Sequence, residues 1–430
     1  MNLFKEVLAH EVYPAFGCTE PISCAYAAAM AAAQLGEPVE SLLLKIDPGT
    51  YKNGAAVTVP HSDGAKGNLI AAALGAALAR PEAKLELLQS ITPDVLQRAR
   101  TLCDSGRCRL ECVDGRTDFY VEVVLGGARH SARCVLAGGH TNVAIVEKDE
   151  QTVFQANADS SADAPLAYRR ALKQMSMADV LALAEQIDAD DREYLQRGVE
   201  MNLAVSEWGF EVGRTAWQLQ QMHRDGFLAN DMFYRVKLRV ASAVDARMTG
   251  MGRAVMTSGG AGNQGIVAIL TPYLVGREMD VSLERIIESL AIAHLVNAYV
   301  KSFVGEISPI CGCVMAAGIG SATAIVYQQK GVDLKRIAMA VGNVVGDLCG
   351  LICDGAKPGC AMKAVTAVDS ALRSALMAIK GYGLSIDDGM IGHTIEASLA
   401  NLGRMTREGM RRVDPTMLHI LQDKAAGCRA

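Results

Sequence analysis

Five cysteines fall in two glycine-rich stretches: Cys311 and Cys313 in "SPICGCVMAAG", and Cys349, Cys353 and Cys360 in "CGLICDGAKPGC". Thiolates ligate iron–sulfur clusters. Irregular glycine-rich backbone lets several sulfurs converge while its N–H groups bond the cluster. The same residues also read as buried free thiols, because Cys is among the most buried residue types. Their spacing is neither a zinc C-x2-C pair nor a ferredoxin run, so spacing alone leaves both readings open. Cys18, in "FGCTEP", stands before an expected helix start, where the helix dipole lowers a thiol's pKa. It suits a base, a nucleophile or a ligand. Glu20 beside it serves chemistry or only complements the dipole.

Other polar stretches suit a small ligand. In "TSGGAGNQGI" the glycines around Ser258 and Gly259 precede an apolar run and expose N–H groups for a carboxylate or phosphate. Asn263 and Gln264 would orient the ligand's polar groups. No clear strand precedes this segment, its glycine spacing is not a dinucleotide fingerprint, and a flexible turn is the competing reading. "GGHTN" offers His140 and Asn142, and "YKNG" offers Asn53. Arg247 in "VDARM" suits a carboxylate clamp or an ion pair with Asp245. His393 stands at a probable helix start and His294 reads as a core histidine.

These residues need a scaffold. The run from Thr19 to Leu35 is helix-forming, with Thr19 or a neighbour as cap and Gly36 as stop. "SLLLKID" reads as a strand, the following 21 residues as a glycine-rich polar stretch, and "LIAAALGAALA" as a helix. Residues 109–156 alternate as strands with glycine turns, a β-meander. The remainder is helical. The expected class is α+β: a mostly helical catalytic domain, 1–36 plus 161–430, with an inserted α+β domain over 37–160.

Half of the 430 residues are hydrophobic and only 5% aromatic, so a large core of closely packed, small-residue helices is expected. The net charge of −5, without a basic run, argues against nucleic acid. The opening segment carries charges where a signal core would sit, and the uncharged runs fall short of the roughly 20 residues of a membrane span. A soluble cytoplasmic protein is expected, with its 12 cysteines as thiols or ligands rather than disulfides.

Taken in order, "GCTEPIS", "KNG", "GGHTN", "DARM", "SGGAGNQG", "ICDGAKPGCAMK" and "GHTIEASLANL" resemble the L-cysteine desulfidase family, within the iron–sulfur L-serine dehydratase α-chain superfamily. The resemblance spans almost the whole chain. It implies a PLP-independent carbon–sulfur lyase with an oxygen-sensitive [4Fe–4S] cluster that converts L-cysteine to pyruvate, ammonia and hydrogen sulfide. It maps the cluster ligands to Cys311, Cys353 and Cys360, leaving Cys313 and Cys349 as core or supporting residues. It places Cys18, with Glu20, in the active site, Cys18 being the first candidate for the base. Thr19, Asn53, His140, Asn142, Arg247, Ser258, Gly259, Asn263 and Gln264 become expected substrate contacts, and a homo-oligomer, a dimer, is the expected assembly. Cys428 near the C-terminus invites a role as a further ligand. The alternatives are an iron–sulfur L-serine dehydratase, which carries a serine-rich stretch where this chain has "GCTEP", and a non-catalytic iron–sulfur redox sensor.

Overall fold

The structure is a computed structural model that describes residues 2–113, 115–116, 118–156, 164–305 and 308–427; Cys428 lies outside them. The class is α+β. Two buried hydrophobic cores organise the chain. One is built almost wholly from helices, the other from a sheet and the helices that cover it.

The helical core centres on Leu283–Val304, whose residues are nearly all buried. A helix apolar on every face must be surrounded. Its neighbours include Gly262–Glu278, Ala316–Lys330, Ala164–Gln174 and Ile395–Arg404. Small residues set the close spacing: a Cβ on Gly320 would lie 2.6 Å from the Ala293 carbonyl oxygen. Among the described residues no helix is long and apolar enough to cross a membrane.

Among the described residues the strands are β1 (Pro14–Phe16), β2 (Ser41–Ile46), β3 (Cys108–Cys112), β4 (Tyr120–Gly126), β5 (Ser131–Ala137), β6 (Val143–Lys148), β7 (Gln151–Gln155) and β8 (Ala254–Met256). The larger sheet runs β3-β2-β4-β5-β6-β7. From β4 to β7 it is the expected antiparallel meander. β3 departs from that expectation. It pairs parallel to β2, which slots between β3 and β4. The alternating burial of β2, with Leu42, Leu44 and Ile46 inward, gives the sheet its core face. The helices Thr19–Leu35 and Asn68–Leu78 cover that face, packed so closely that a Cβ on Gly75 would overlap the Ala25 backbone.

Two short elements fall where the sequence reads as loop. Pro48–Gly54 is a helix started by Asp47, whose carboxylate accepts from the Thr50 N–H at 2.9 Å, with Pro48 at its first position. β8 precedes the glycine turn at Ser258 and pairs antiparallel with β1, so a strand does lead into that turn. We keep the two-domain division as a proposal. The Thr19–Leu35 helix straddles it, starting at the site described below and burying its length in the sheet's core.

Candidate active site

Four helices aim their N-termini at one cavity of about 130 Å³. They begin at Thr19, Gly262, Ala316 and Cys360. Each helix start carries partial positive charge, so the cavity favours anions, although the first N–H groups at Ala316 and Cys360 already bond the Gly312 and Lys357 carbonyls. The lining brings together Cys18, Thr19, Glu20, Asn53, His140, Arg247, Gly259, Asn263, Gln264, Cys311, Cys353 and Cys360. These are twelve of the fourteen residues that the sequence nominates, drawn from both cores.

On one wall Glu20 is held by three donors. Asn53 Nδ2 donates to its Oε1 at 2.7 Å; Cys18 Sγ and Thr19 Oγ1 donate to Oε2 at 2.8 and 3.2 Å. Burial pushes the Glu20 carboxyl up, but the His140 charge and these bonds outweigh it, leaving it below its ordinary range. Cys18 moves the other way. Burial first, then the Glu20 charge, drive its thiol well above the ordinary value against the opposing charge of Arg247. The expectation that the helix dipole lowers this thiol is therefore corrected. Cys18, the neighbour of Thr19, is the N-cap and makes no side-chain cap bond.

The opposite wall is sulfur. Cys311, Cys313, Cys353 and Cys360 all line the cavity. The backbone joins their two loops: Cys311 N–H donates to Leu351 O at 3.0 Å, and Cys353 N–H to Pro309 O at 2.7 Å. Cys349 packs outside the lining. Lys363, one turn after Cys360, also lines the cavity, is fixed by Asp354 and by Ile352 O at 2.8 Å, and places its charge near Cys311. Four thiols, nearby cations and four helix N-termini fit a sulfur-ligated cluster, whose thiolates each take a different iron. A single ion fits less well, since among the described residues no three His, Cys, Asp or Glu side chains are gathered for one metal.

Between these walls lies the turn Ser258–Ala261. Gly259 and Gly260 have φ of 57° and 70°, the left-handed region that glycine enters at no steric cost. The Ser258 hydroxyl is buried beneath the turn, meeting His294 Nδ1 at 2.9 Å and accepting from Asn297 Nδ2 at 2.8 Å. It braces the turn and does not line the cavity. Arg247 is also a brace. Its guanidinium donates to Asn263 Oδ1 at 2.9 Å and to the Gly17 carbonyl, tying "FGCTEP" to "GAGNQG". It is not paired with Asp245, whose carboxylate accepts from the Ala216 N–H at 2.8 Å. Gln264 Oε1, Arg247 Nε and His140 Nε2 are buried with no hydrogen-bond partner, leaving polar atoms at the cavity for a ligand.

Asn142 lies elsewhere. Its side chain donates to Ala137 O at 2.8 Å and staples the β5–β6 hairpin, whose tip presents His140 to the cavity. His393 is exposed; the neighbouring Thr394 caps the helix Ile395–Arg404. Lys301 was not nominated. It lines the cavity and donates to the Gly259 carbonyl. A signal for it exists: His294, Asn297 and Lys301 form a polar stripe at i, i+3 and i+7 on an otherwise apolar helix, and all three touch the glycine turn.

The sequence pattern of the serine dehydratase alpha chain matches residues 82–419. The chain belongs to the serine dehydratase alpha chain family. It is similar to the UPF0597 protein of Geobacter sulfurreducens, 47% identical over 424 residues, covering 99% of both chains. It is also similar to UPF0597 proteins of Elusimicrobium minutum (41% identical; 99% of this chain and 100% of that one) and Desulfatibacillum aliphaticivorans (34%; 98% of each). No solved structure matches the chain.

Proposed function

We propose that this protein is an L-cysteine desulfidase, a lyase that eliminates sulfide from L-cysteine and releases pyruvate and ammonia. The observation that carries the reading is the Cys18–Glu20 pair facing four thiols across one cavity. Iron–sulfur dependence is general in the family, and Cys311, Cys353 and Cys360 would hold the cluster, with Cys313 beside Cys311 as a further sulfur at the same cavity. When bound, such a cluster supplies a Lewis acid for the substrate's leaving sulfur.

The chain's own residues bind and deprotonate. The unbonded N–H groups at Gly262, Asn263 and Gln264 start a helix and suit the substrate carboxylate. A carboxylate below its usual range and a thiol above its own do not make a free thiolate. They make a relay. As the Cys18 sulfur receives the α-proton, its own proton passes to the Glu20 oxygen 2.8 Å away. Loss of sulfide from Cβ then leaves aminoacrylate, which tautomerises to the imine and hydrolyses. Asn53 keeps Glu20 oriented throughout.

The test is anaerobic reconstitution followed by sulfide and pyruvate assays with L-cysteine and L-serine. We expect kcat/KM for cysteine to exceed that for serine at least ~10-fold. The reverse order would assign a serine dehydratase, and an intact cluster with no turnover of either would assign a redox sensor. Glu20→Gln and Cys18→Ser should keep their iron yet lose ~100-fold or more in kcat. Cys353→Ala and Cys360→Ala should lose the cluster absorption.

A further inference from the structure

A second chamber, of about 560 Å³, lies outside the first. Its walls come from both parts of the fold: His10 and Tyr13 near the N-terminus, Tyr168 and Arg169 from the helix Ala164–Gln174, and Glu82 and Glu86 from the segment Pro81–Ser90. Among the described residues His140 alone lines both chambers. Its ring packs against Phe119 with centroids 4.7 Å apart, its Nε2 is buried without a hydrogen-bond partner, and its charge reaches Glu20. A buried imidazole nitrogen with no partner, set at the junction of a reaction cavity and a water-accessible one, requires an explanation.

We propose that His140 is the relay that carries the substrate's α-proton from Glu20 to the outer chamber. The inference rests on the elimination described above and deepens it. Each turnover moves one proton from Cα to the Cys18 sulfur and one from that sulfur to Glu20, so Glu20 ends protonated. Among the described residues lining the inner cavity Glu20 is the only carboxylate. The pair resets when Glu20 gives its proton to one imidazole nitrogen and the other nitrogen releases a proton outward. His10 and the exposed Glu82 and Glu86 stand there to exchange it with water. The hairpin fixes the geometry, since Gly138 has φ of 71° and Asn142 staples the loop.

Chemical rescue tests this. In the cluster-loaded enzyme, His140→Ala should lose ~10–100-fold in kcat with KM for cysteine changed less than about threefold. Imidazole should restore kcat saturably, because the truncated side chain opens a space between two chambers. His140→Gln, which fills much of the imidazole's volume, should show the same loss but little rescue. Glu20→Gln should not respond to imidazole. A reading without turnover is imidazole binding to the metal-free His140→Ala protein, followed by saturation-transfer NMR; the wild type should not bind at that position. Full activity of both His140 variants, or an iron-replete His140→Ala that imidazole leaves inert, would overturn the relay while the elimination reading stands. An iron-replete wild type that turns over neither amino acid would overturn both.

Discussion

The proton shared by Cys18 and Glu20 rests on sulfur, because burial penalises a thiolate more than the Arg247 charge favours it, while Thr19 and Asn53 donate to the carboxylate. Residue by residue, environment rather than residue type decides the charge. Asp245 is a second case. Burial raises its carboxyl to about 6, one of its oxygens accepts from the Ala216 N–H, and the other is buried with no partner. The sign follows from linkage. The folded state holds this proton more tightly than the unfolded chain, so ionisation costs stability. The cost is absent below the ordinary value of 3.8, grows as pH rises towards about 6 and is constant above. Asp245→Asn keeps an acceptor for Ala216 and removes the charge. It should stabilise the protein by about 1–2 kcal/mol at pH 8 and have little effect at pH 4, read as the difference in urea midpoints. The residue types of the site were legible in the sequence: Cys18, Glu20 and the cysteines are named by their motifs. Their protonation was not, since a helix N-terminus predicts a lowered thiol and only the fold places Glu20's charge and full burial on it. Nor was the part of Arg247, whose partners lie 230 residues away at Gly17 and 16 away at Asn263.

At the scale of elements, the short helix Pro48–Gly54 is the keystone. Its Lys52 carbonyl oxygen lies where a Cβ on Gly355 would fall, its Asn53 reaches Glu20, and Asn68 Nδ2 donates to its Thr50 O at 3.0 Å. Seven residues are too few for a helix to stand alone in water. Tertiary bonds hold it, which is why "PGTYKNG" reads as a polar loop while the long runs "LERIIESLAIAHLVNAYVKSF" and "TEPISCAYAAAMAAAQL" read correctly as helices. β3 was misread for a related reason: its alternation is visible, but a parallel partner 66 residues earlier leaves no local trace. Gly355 tests the keystone. Its φ is 92°, and the loop carrying Cys353 lies flat on the Lys52 backbone only because no side chain intervenes. Gly355→Ala should cost ~2–3 kcal/mol and lower the iron bound after reconstitution. Gly350→Ala, where a Cβ would meet nothing within 4 Å, should retain the iron of the parent. Equal iron content in the two variants would count against the role given to this contact.

At the scale of the whole molecule, the site sits where the two cores meet, and one buried ion pair ties the chain's far end to it. Lys52, with its side chain 1% exposed, bonds Asp414 at 2.5 Å across 362 residues, joining the helix Val413–Gly427 to the keystone helix. The two members of such a pair are not equivalent. Removing Asp414 strands an ammonium that is almost wholly buried, whereas removing Lys52 leaves a carboxylate that is 22% exposed and still reached by water. Asp414→Asn should therefore cost ~2–4 kcal/mol and Lys52→Met less, with the double variant recovering part of the Asp414→Asn loss because no unpaired charge stays inside. Denaturant midpoints of the metal-free proteins give the three values directly. If the pair also holds Asn53 in place, Asp414→Asn should lower kcat of the reconstituted enzyme as well, although Asp414 lines neither chamber. A variant that loses stability but keeps full kcat would confine the C-terminal helix to a structural clasp, and one that loses both would make it part of the machinery that aims Glu20.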